Sequence, residues 1–372
     1  MKKTRNIPFF NYPALFFKHE QEFMQILGDT LARGAYIMQK DLTEFEEGLA
    51  KYLGVKHVVG AADGTMALIM GLKAAGIGEG DEVIVPSHTF VASAASIHHV
   101  GAVPVLADCG RDHLIDPAKV ESLITTKTRA IMPVHLNGRA ADMDRLNSIV
   151  KRYNLLIVED ACQALGATYK GRFAGTFGIV SAFSFYPSKT LGCFGDGGAL
   201  VTNDDAVAEK LKLYRDHGRN HDGKVSVFGY NARLDNLQAA ILNVKLKYYD
   251  REVMRRRELA NRYNEQLSHI DELLLPPAPN DDPNHFDIFQ NYEIEAERRN
   301  ELRDYLKDCG VSTILQWGGY AVHQFKELSF ESKLPYTDRM IQRFMLLPMN
   351  TSLADDDVDF ICEKIIGFYS KK

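Results

Sequence analysis

The sequence predicts an α/β protein with two domains. A large domain over residues 1–245, including an N-terminal arm, should carry a mostly parallel sheet. A smaller α+β domain over 246–372 should follow it. Three observations support this. Short apolar runs alternate with helix-length amphipathic segments from residue 57 to 204, the βαβα order of a parallel sheet covered by helices on both faces. A single long polar helical pattern at about 234–270 leads out of that region. At 372 residues the chain is long enough for a large core and a second, smaller one.

The elements follow in order. Residues 20–54 read as two amphipathic helices, the second from Leu42 to Leu53. HVVGA (57–61) is a strand before a helix that starts near Gly64. EVIVP (82–86) precedes the helix FVASAASIHHVG, and PVLADC (104–109) precedes PAKVESLI. AIMPVHL (130–136) leads into the helix MDRLNSIVKRYN, and LLIVED (155–160) is the next strand. AFSFYP (182–187) and GALVTND (198–204) are two more. PPAPNDDPNH (276–285) reads as a loop or a boundary by composition. Beyond it, strands are expected at NYEIEA and STILQW, with helices at 299–308 and 355–370.

Composition narrows the class. The chain is 45% hydrophobic and 25% charged, ordinary for a soluble enzyme, and its net charge of −5 argues against nucleic-acid or acidic-membrane partners. Five scattered cysteines show no CxxC and no Cys/His metal spacing, so reduced thiols in the cytoplasm are expected and no metal site. The basic start, MKKTRN, leads into an apolar run broken by Asn11, Pro13 and Lys18-His19-Glu20, too interrupted for a signal peptide. No stretch approaches the length of a membrane span.

The chemistry concentrates between Ile157 and Asp204. Asp160 ends an apolar strand, Gln163 follows three residues later, and Lys189 sits in SFYPSK before Gly192, Gly195, Gly197 and Gly198. Pyridoxal phosphate (PLP) needs a lysine amine for a Schiff base and an acid to keep its pyridine nitrogen protonated. A buried acid at a strand end needs a cationic partner, and a pyridinium is one. Burial lowers a lysine pKa toward a neutral, nucleophilic amine. Gly64-Thr65 lies where a strand-end loop becomes a helix N-terminus, which suits a phosphate, and Ser184 is placed to add a donor. Phe90 opens the helix after the second strand, where its ring can stack on a pyridine. Gln163 is within reach of the phenolic oxygen. Glu159 must point to the opposite face from Asp160, in a structural role or one supporting the site from behind, which disfavours a paired-carboxylate metal site. His135 is read as structural or pocket-lining. His88 is read first as a loop residue.

Taken together, these motifs resemble the DegT/DnrJ/EryC1/StrS family of sugar aminotransferases. The resemblance runs nearly end to end, through IPFF, ADGTMAL, GDEVIVPSHTFVASA, GAVPVLADC, VHLNG, VEDACQALGA, FSFYPSK, GDGGALVTND and GYNARLDNLQAAIL. It implies an aspartate-aminotransferase-like (fold type I) PLP enzyme, working as a homodimer with active sites shared between subunits. It also implies amino transfer from L-glutamate to a nucleotide-linked keto sugar. The product, an amino sugar, would serve surface polysaccharide (lipopolysaccharide or O-antigen) or antibiotic synthesis. By residue, Lys189 matches the Schiff-base lysine and Asp160 the ring-nitrogen partner. Gln163 matches the residue at the phenolic oxygen, and Phe90 the stacking ring. Gly64, Thr65 and Ser184 match the phosphate cradle, and Asn231 an asparagine reaching the phosphate from the other subunit.

Two departures stand out. Asp63 replaces a common serine, so its carboxylate should turn away from the phosphate and cap the helix. Gln316-Trp317-Gly318-Gly319 replaces a His-Tyr-Pro-like segment that faces substrate. Gln316, Trp317, His88 and Arg219 are therefore the candidate substrate contacts, Arg219 within a basic stretch with Lys212, Arg215, His217 and His221 that reads equally as solvated charge. Lys189 argues against the family's dehydratase branch, where histidine replaces the lysine. The rival readings are amination of a cyclitol or other keto substrate without a nucleotide, and a non-catalytic regulator on the same scaffold.

Overall fold

Near-continuous runs of Val, Ile, Leu and Ala suit strands buried on both faces, and these build the large sheet. The computed structural model describes residues 5–370; the basic Lys2 and Lys3 lie outside the described residues. Seven strands form the sheet: β1 (His57–Ala61), β2 (Glu82–Pro86), β3 (Val103–Ala107), β4 (Thr128–Ile131), β5 (Leu156–Asp160), β6 (Val180–Ser184) and β7 (Gly198–Thr202). Their order is β1-β7-β6-β5-β4-β2-β3. Strands β2 to β6 pair in parallel. Only β7 runs against its neighbours, β6 and β1. Alternation splits the side chains between two layers. Ile84, Ile131, Ile157 and Phe183 join one apolar cluster, and Val83, Val85, Ala130 and Val158 the other. The carboxyl ends of β2, β4, β5 and β6 share one edge, where ligands of open α/β sheets bind.

The second sheet is antiparallel, with β9 (Tyr292–Ala296) between β8 (Leu273–Leu274) and β10 (Phe344–Leu347). Helices Arg299–Asp308 and Asp355–Tyr369 contribute to its core through Leu302, Leu306, Ile361 and Ile365.

Four expectations change. The long helix at 234–270 is two, Asn236–Leu246 and Tyr249–Leu267. The break falls where adjacent tyrosines are held apart. Tyr248 stacks on His19 at 4.1 Å and donates to Glu22, while Tyr249 is buried and donates to the Leu165 carbonyl. Ile7, counted with the large domain, bridges Val311 and sits in the core of the second sheet. STILQW makes only one bridge, Ile314 to Leu346, before a 3₁₀ turn at Gln316–Gly319. Finally, Phe344–Leu347, not expected as a strand, takes the edge beside β9.

Candidate active site

At the end of β1 the chain turns into the helix Gly64–Ala74. Asp63 caps it, its Oδ1 accepting from the Met66 N–H at 2.8 Å, so the carboxylate is committed to the backbone as the departure from serine required. The first turn leaves backbone N–H groups open to an anion. Only glycine fits at 64. A Cβ there would lie 2.9 Å from the Ser184 Cβ and 3.0 Å from the Cys162 Sγ. The Ser184 hydroxyl oxygen accepts from the Tyr186 N–H at 3.3 Å, which leaves its proton free to donate. Gly64, Thr65 and Ser184 thus meet at one edge, as a phosphate cradle requires.

Beside this cradle lie the ring-binding candidates. Asp160 is buried at the end of β5, and its Oδ2 accepts from the Ser93 hydroxyl at 2.7 Å, while Oδ1 accepts from the Cys162 N–H at 3.1 Å. Ser93 stands three residues after Phe90, in the first turn of the helix Val91–His99. Phe90 is 52% exposed, an open aromatic face at the rim of a buried polar site. Lys189 is half-buried, and loss of solvation pushes its amine pKa down, opposed by Cys162 and by the Asp160 carboxylate. A buried acid, a lysine pushed toward its neutral form, a glycine-walled anion cradle and an open aromatic face together fit PLP.

Glu159 points to the opposite face, as strand alternation demands. Its Oε1 accepts from the N–H groups of Phe177 and Gly178, both at 2.6 Å. Its Oε2 accepts from Gly175 N–H at 2.7 Å and from His135 Nε2 at 2.8 Å. His135 Nδ1 accepts from the Ala141 N–H, so the proton sits on Nε2. Both residues are structural: they clamp the loop 175–178 under β5.

Gln163 leads into a polar chain that sequence reasoning missed. Its Oε1 accepts from the Asn137 backbone N–H at 3.0 Å and from Asn291 Nδ2 at 3.2 Å. Gln316 Nε2 donates to Asn137 Oδ1 at 2.8 Å and to Glu293 Oε2 at 3.1 Å. Glu293 Oε1 in turn meets His88 Nε2 at 3.1 Å and His113 Nδ1 at 2.6 Å, and His113 Nε2 faces Glu295 at 3.2 Å. Burial alone would lower the His113 pKa, but hydrogen bonds and charge from Glu293 and Glu295 outweigh it and raise the value to about 9. Glu293 is held well below the usual carboxylate range: desolvation is outweighed by His88 and His113. His88, His113 and Glu293 have the composition of a metal site, and both imidazoles lie within hydrogen-bond reach of the Glu293 Oε1.

Two of the expected substrate contacts are buried in this cluster. His88 is 1% exposed with its Nε2 on Glu293, and Gln316 is 7% exposed with its amide nitrogen committed twice. Neither offers a substrate an open face. Trp317 packs edge-on against His88 at 5.2 Å, its backbone in the left-handed region at φ 52°, and remains half-buried beside the site. Arg219 pairs with Asp216 at 2.9 Å. Its neighbours in the basic stretch are paired too, Lys212 with Glu209, Arg215 with Glu46 and His221 with Asp222. Asn231 is exposed, its Oδ1 accepting from Arg233. Ser93 carried a signal, its i+3 spacing from Phe90. Asn291 and Glu293 carried none, since they arrive from the second sheet.

Fold and site define a fold type I, PLP-dependent aminotransferase. The chain belongs to the DegT/DnrJ/EryC1/StrS aminotransferase family, whose profile matches residues 18–366. It is 40% identical over 357 residues to the dTDP-3-amino-3,4,6-trideoxy-α-D-glucose transaminase of Streptomyces venezuelae, covering 94% of this chain and 93% of that one. It is 38% identical over 370 residues to a pleiotropic regulatory protein of Geobacillus stearothermophilus, covering 98% and 99%. The solved structure of S. venezuelae DesV, in complex with a ketimine intermediate, superposes with a TM-score of 0.95 at 36% identity, covering 99% of this chain and all of that one. Among the described residues no helix is long and apolar enough to cross a membrane.

Proposed function

We propose that the protein moves the amino group of L-glutamate to the keto group of a nucleotide-linked, deoxy sugar. The amino sugar formed would serve cell-surface polysaccharide or antibiotic synthesis, in the cytoplasm. The observation that carries this is Lys189, its amine pKa lowered at the same strand edge as buried Asp160. Full-length relatives that are sugar transaminases support it.

When bound, PLP supplies an electron sink for the carbanion left when a proton leaves the substrate carbon. The protein does the rest. Asp160, oriented by Ser93 and the Cys162 N–H, holds a proton at the ring nitrogen. Gly64, Thr65 and Ser184 bind the phosphate. Phe90 covers the ring face, and Gln163 donates at the phenolic oxygen. Lys189, its amine pKa pushed down by burial, would anchor the cofactor. With the cofactor bound, its amine would be the group that moves a proton to and from the substrate carbon.

The working unit in this reading is a homodimer in which Asn231 reaches the partner's phosphate cradle. Exposed apolar side chains support that: Phe228 is 96% exposed in the loop before Asn231, and Tyr36, Ile37 and Met38 are open as well. The regulator reading draws on the G. stearothermophilus relative, but the assembled Asp160, Gln163 and Lys189 set has no use without proton transfer.

The test is an absorbance spectrum of the purified protein, before and after glutamate, with Lys189→Ala alongside. A yellow band that glutamate bleaches in the wild type alone supports the reading, and keto-sugar nucleotides then identify the acceptor. A protein that takes up no PLP would overturn it in favour of the regulator.

A further inference from the structure

We propose that Asn137, Asn291 and Gln316 are positioning residues that set which end of the Gln163 amide faces the cofactor. This rests on the PLP reading above. A backbone N–H can only donate, so the Asn137 N–H at 3.0 Å identifies the Gln163 atom it meets as oxygen. Asn291 Nδ2 donates to the same oxygen at 3.2 Å and to Asn137 Oδ1 at 2.9 Å. Gln316 Nε2 holds Asn137 Oδ1 from the other side at 2.8 Å and is itself anchored on Glu293. With Oε1 saturated, the Gln163 nitrogen is the end left free, and it donates to no protein atom among the described residues.

Orientation matters because the phenolic oxygen of PLP titrates. A donor N–H there favours its ionised form, whereas a flipped amide would set oxygen against oxygen. The chain crosses from the large sheet, through Asn137, to the second sheet, through Asn291 and Glu293. Docking of the second sheet therefore adds the Asn291 bond to the one that the Asn137 N–H, within the large domain, already makes to Gln163. Gln316, expected from its position in the sequence to meet substrate, acts here through Asn137.

The test titrates the visible band of the PLP-loaded protein against pH and measures PLP affinity by fluorescence. Gln163→Leu should raise the midpoint by about one pH unit, a tenfold gain in proton affinity. Asn291→Ala and Gln316→Met should move it in the same direction by a smaller amount, and should weaken PLP binding several-fold. The double variant Gln163→Leu/Asn291→Ala should match Gln163→Leu alone, because Asn291 acts through Gln163. If Asn291→Ala fails to fold, Gln316→Met, close in volume, carries the same reading. Midpoints unchanged in both variants while Gln163→Leu shifts, or Asn291 and Gln163 effects that simply add, would overturn the proposal. A wild-type protein that binds no PLP would instead sink the functional reading beneath it.

Discussion

Replacing Glu159 by glutamine keeps shape and removes charge at a side chain with 0% exposure. All four of its partners are donors: the N–H groups of Gly175, Phe177 and Gly178, and His135 Nε2. A glutamine oxygen can keep two of them. Its NH₂ would then face two N–H donors in a fully buried site. His135 cannot relieve this by switching tautomer, because its Nδ1 already accepts from the Ala141 N–H. Hydrogen bonds to a charged group contribute about 1.5–3 kcal/mol each, so losing two costs about 3–6 kcal/mol. Unfolding entropy of about 2.1 cal/mol/K per residue converts that into a fall of roughly 4–8 °C in melting temperature for a chain this long. The assay is thermal unfolding of wild type and Glu159→Gln at one saturating PLP concentration, so that ligand linkage is equal in both. A melting temperature within 1 °C of wild type would refute the reasoning.

Further outcomes follow from the same geometry. Gly64→Ala should lower PLP affinity at least tenfold, since its Cβ would press on Ser184 and Cys162 at 2.9–3.0 Å; equilibrium binding reads it. Phe90→Ala should cut PLP affinity roughly threefold to tenfold, the range expected for a lost ring contact, with the fold unchanged by circular dichroism. The His113 pKa, raised to about 9, contributes stability that is complete below its unfolded value of about 6.5 and is lost as pH rises through 9. Glu293, held below its usual range, contributes above an unfolded value of about 4.5 and loses that contribution as pH falls. Melting temperature should therefore fall between pH 6.5 and 9 in the wild type but not in His113→Gln, and parallel profiles would contradict the assignment. Lys189→Ala and Asn231→Asp subunits, each inactive alone, should regain activity when mixed if active sites are shared between copies.

Much of this protein was legible in its sequence because the determining interactions are local. Strands β1, β2 and β5 announce themselves as apolar runs bounded by turns, since a strand buried on both faces has to be continuously apolar. The candidate residues Asp160, Lys189 and Gly64 sit at or just beyond strand ends within motifs of a few residues, and alternation alone sent Glu159 to the far face. Contacts between distant segments were decided only by the tertiary structure. The helix breaks at Tyr248 because His19 and Leu165, far apart in sequence, pull neighbouring tyrosines to different sides. Gln316 and His88 turn inward because Glu293, on another sheet, offers them a buried charge that outweighs solvation. Local periodicity records which face of an element is apolar; it holds no record of which polar group will stand opposite once two sheets meet, and that pairing brought Asn291 to the Gln163 oxygen.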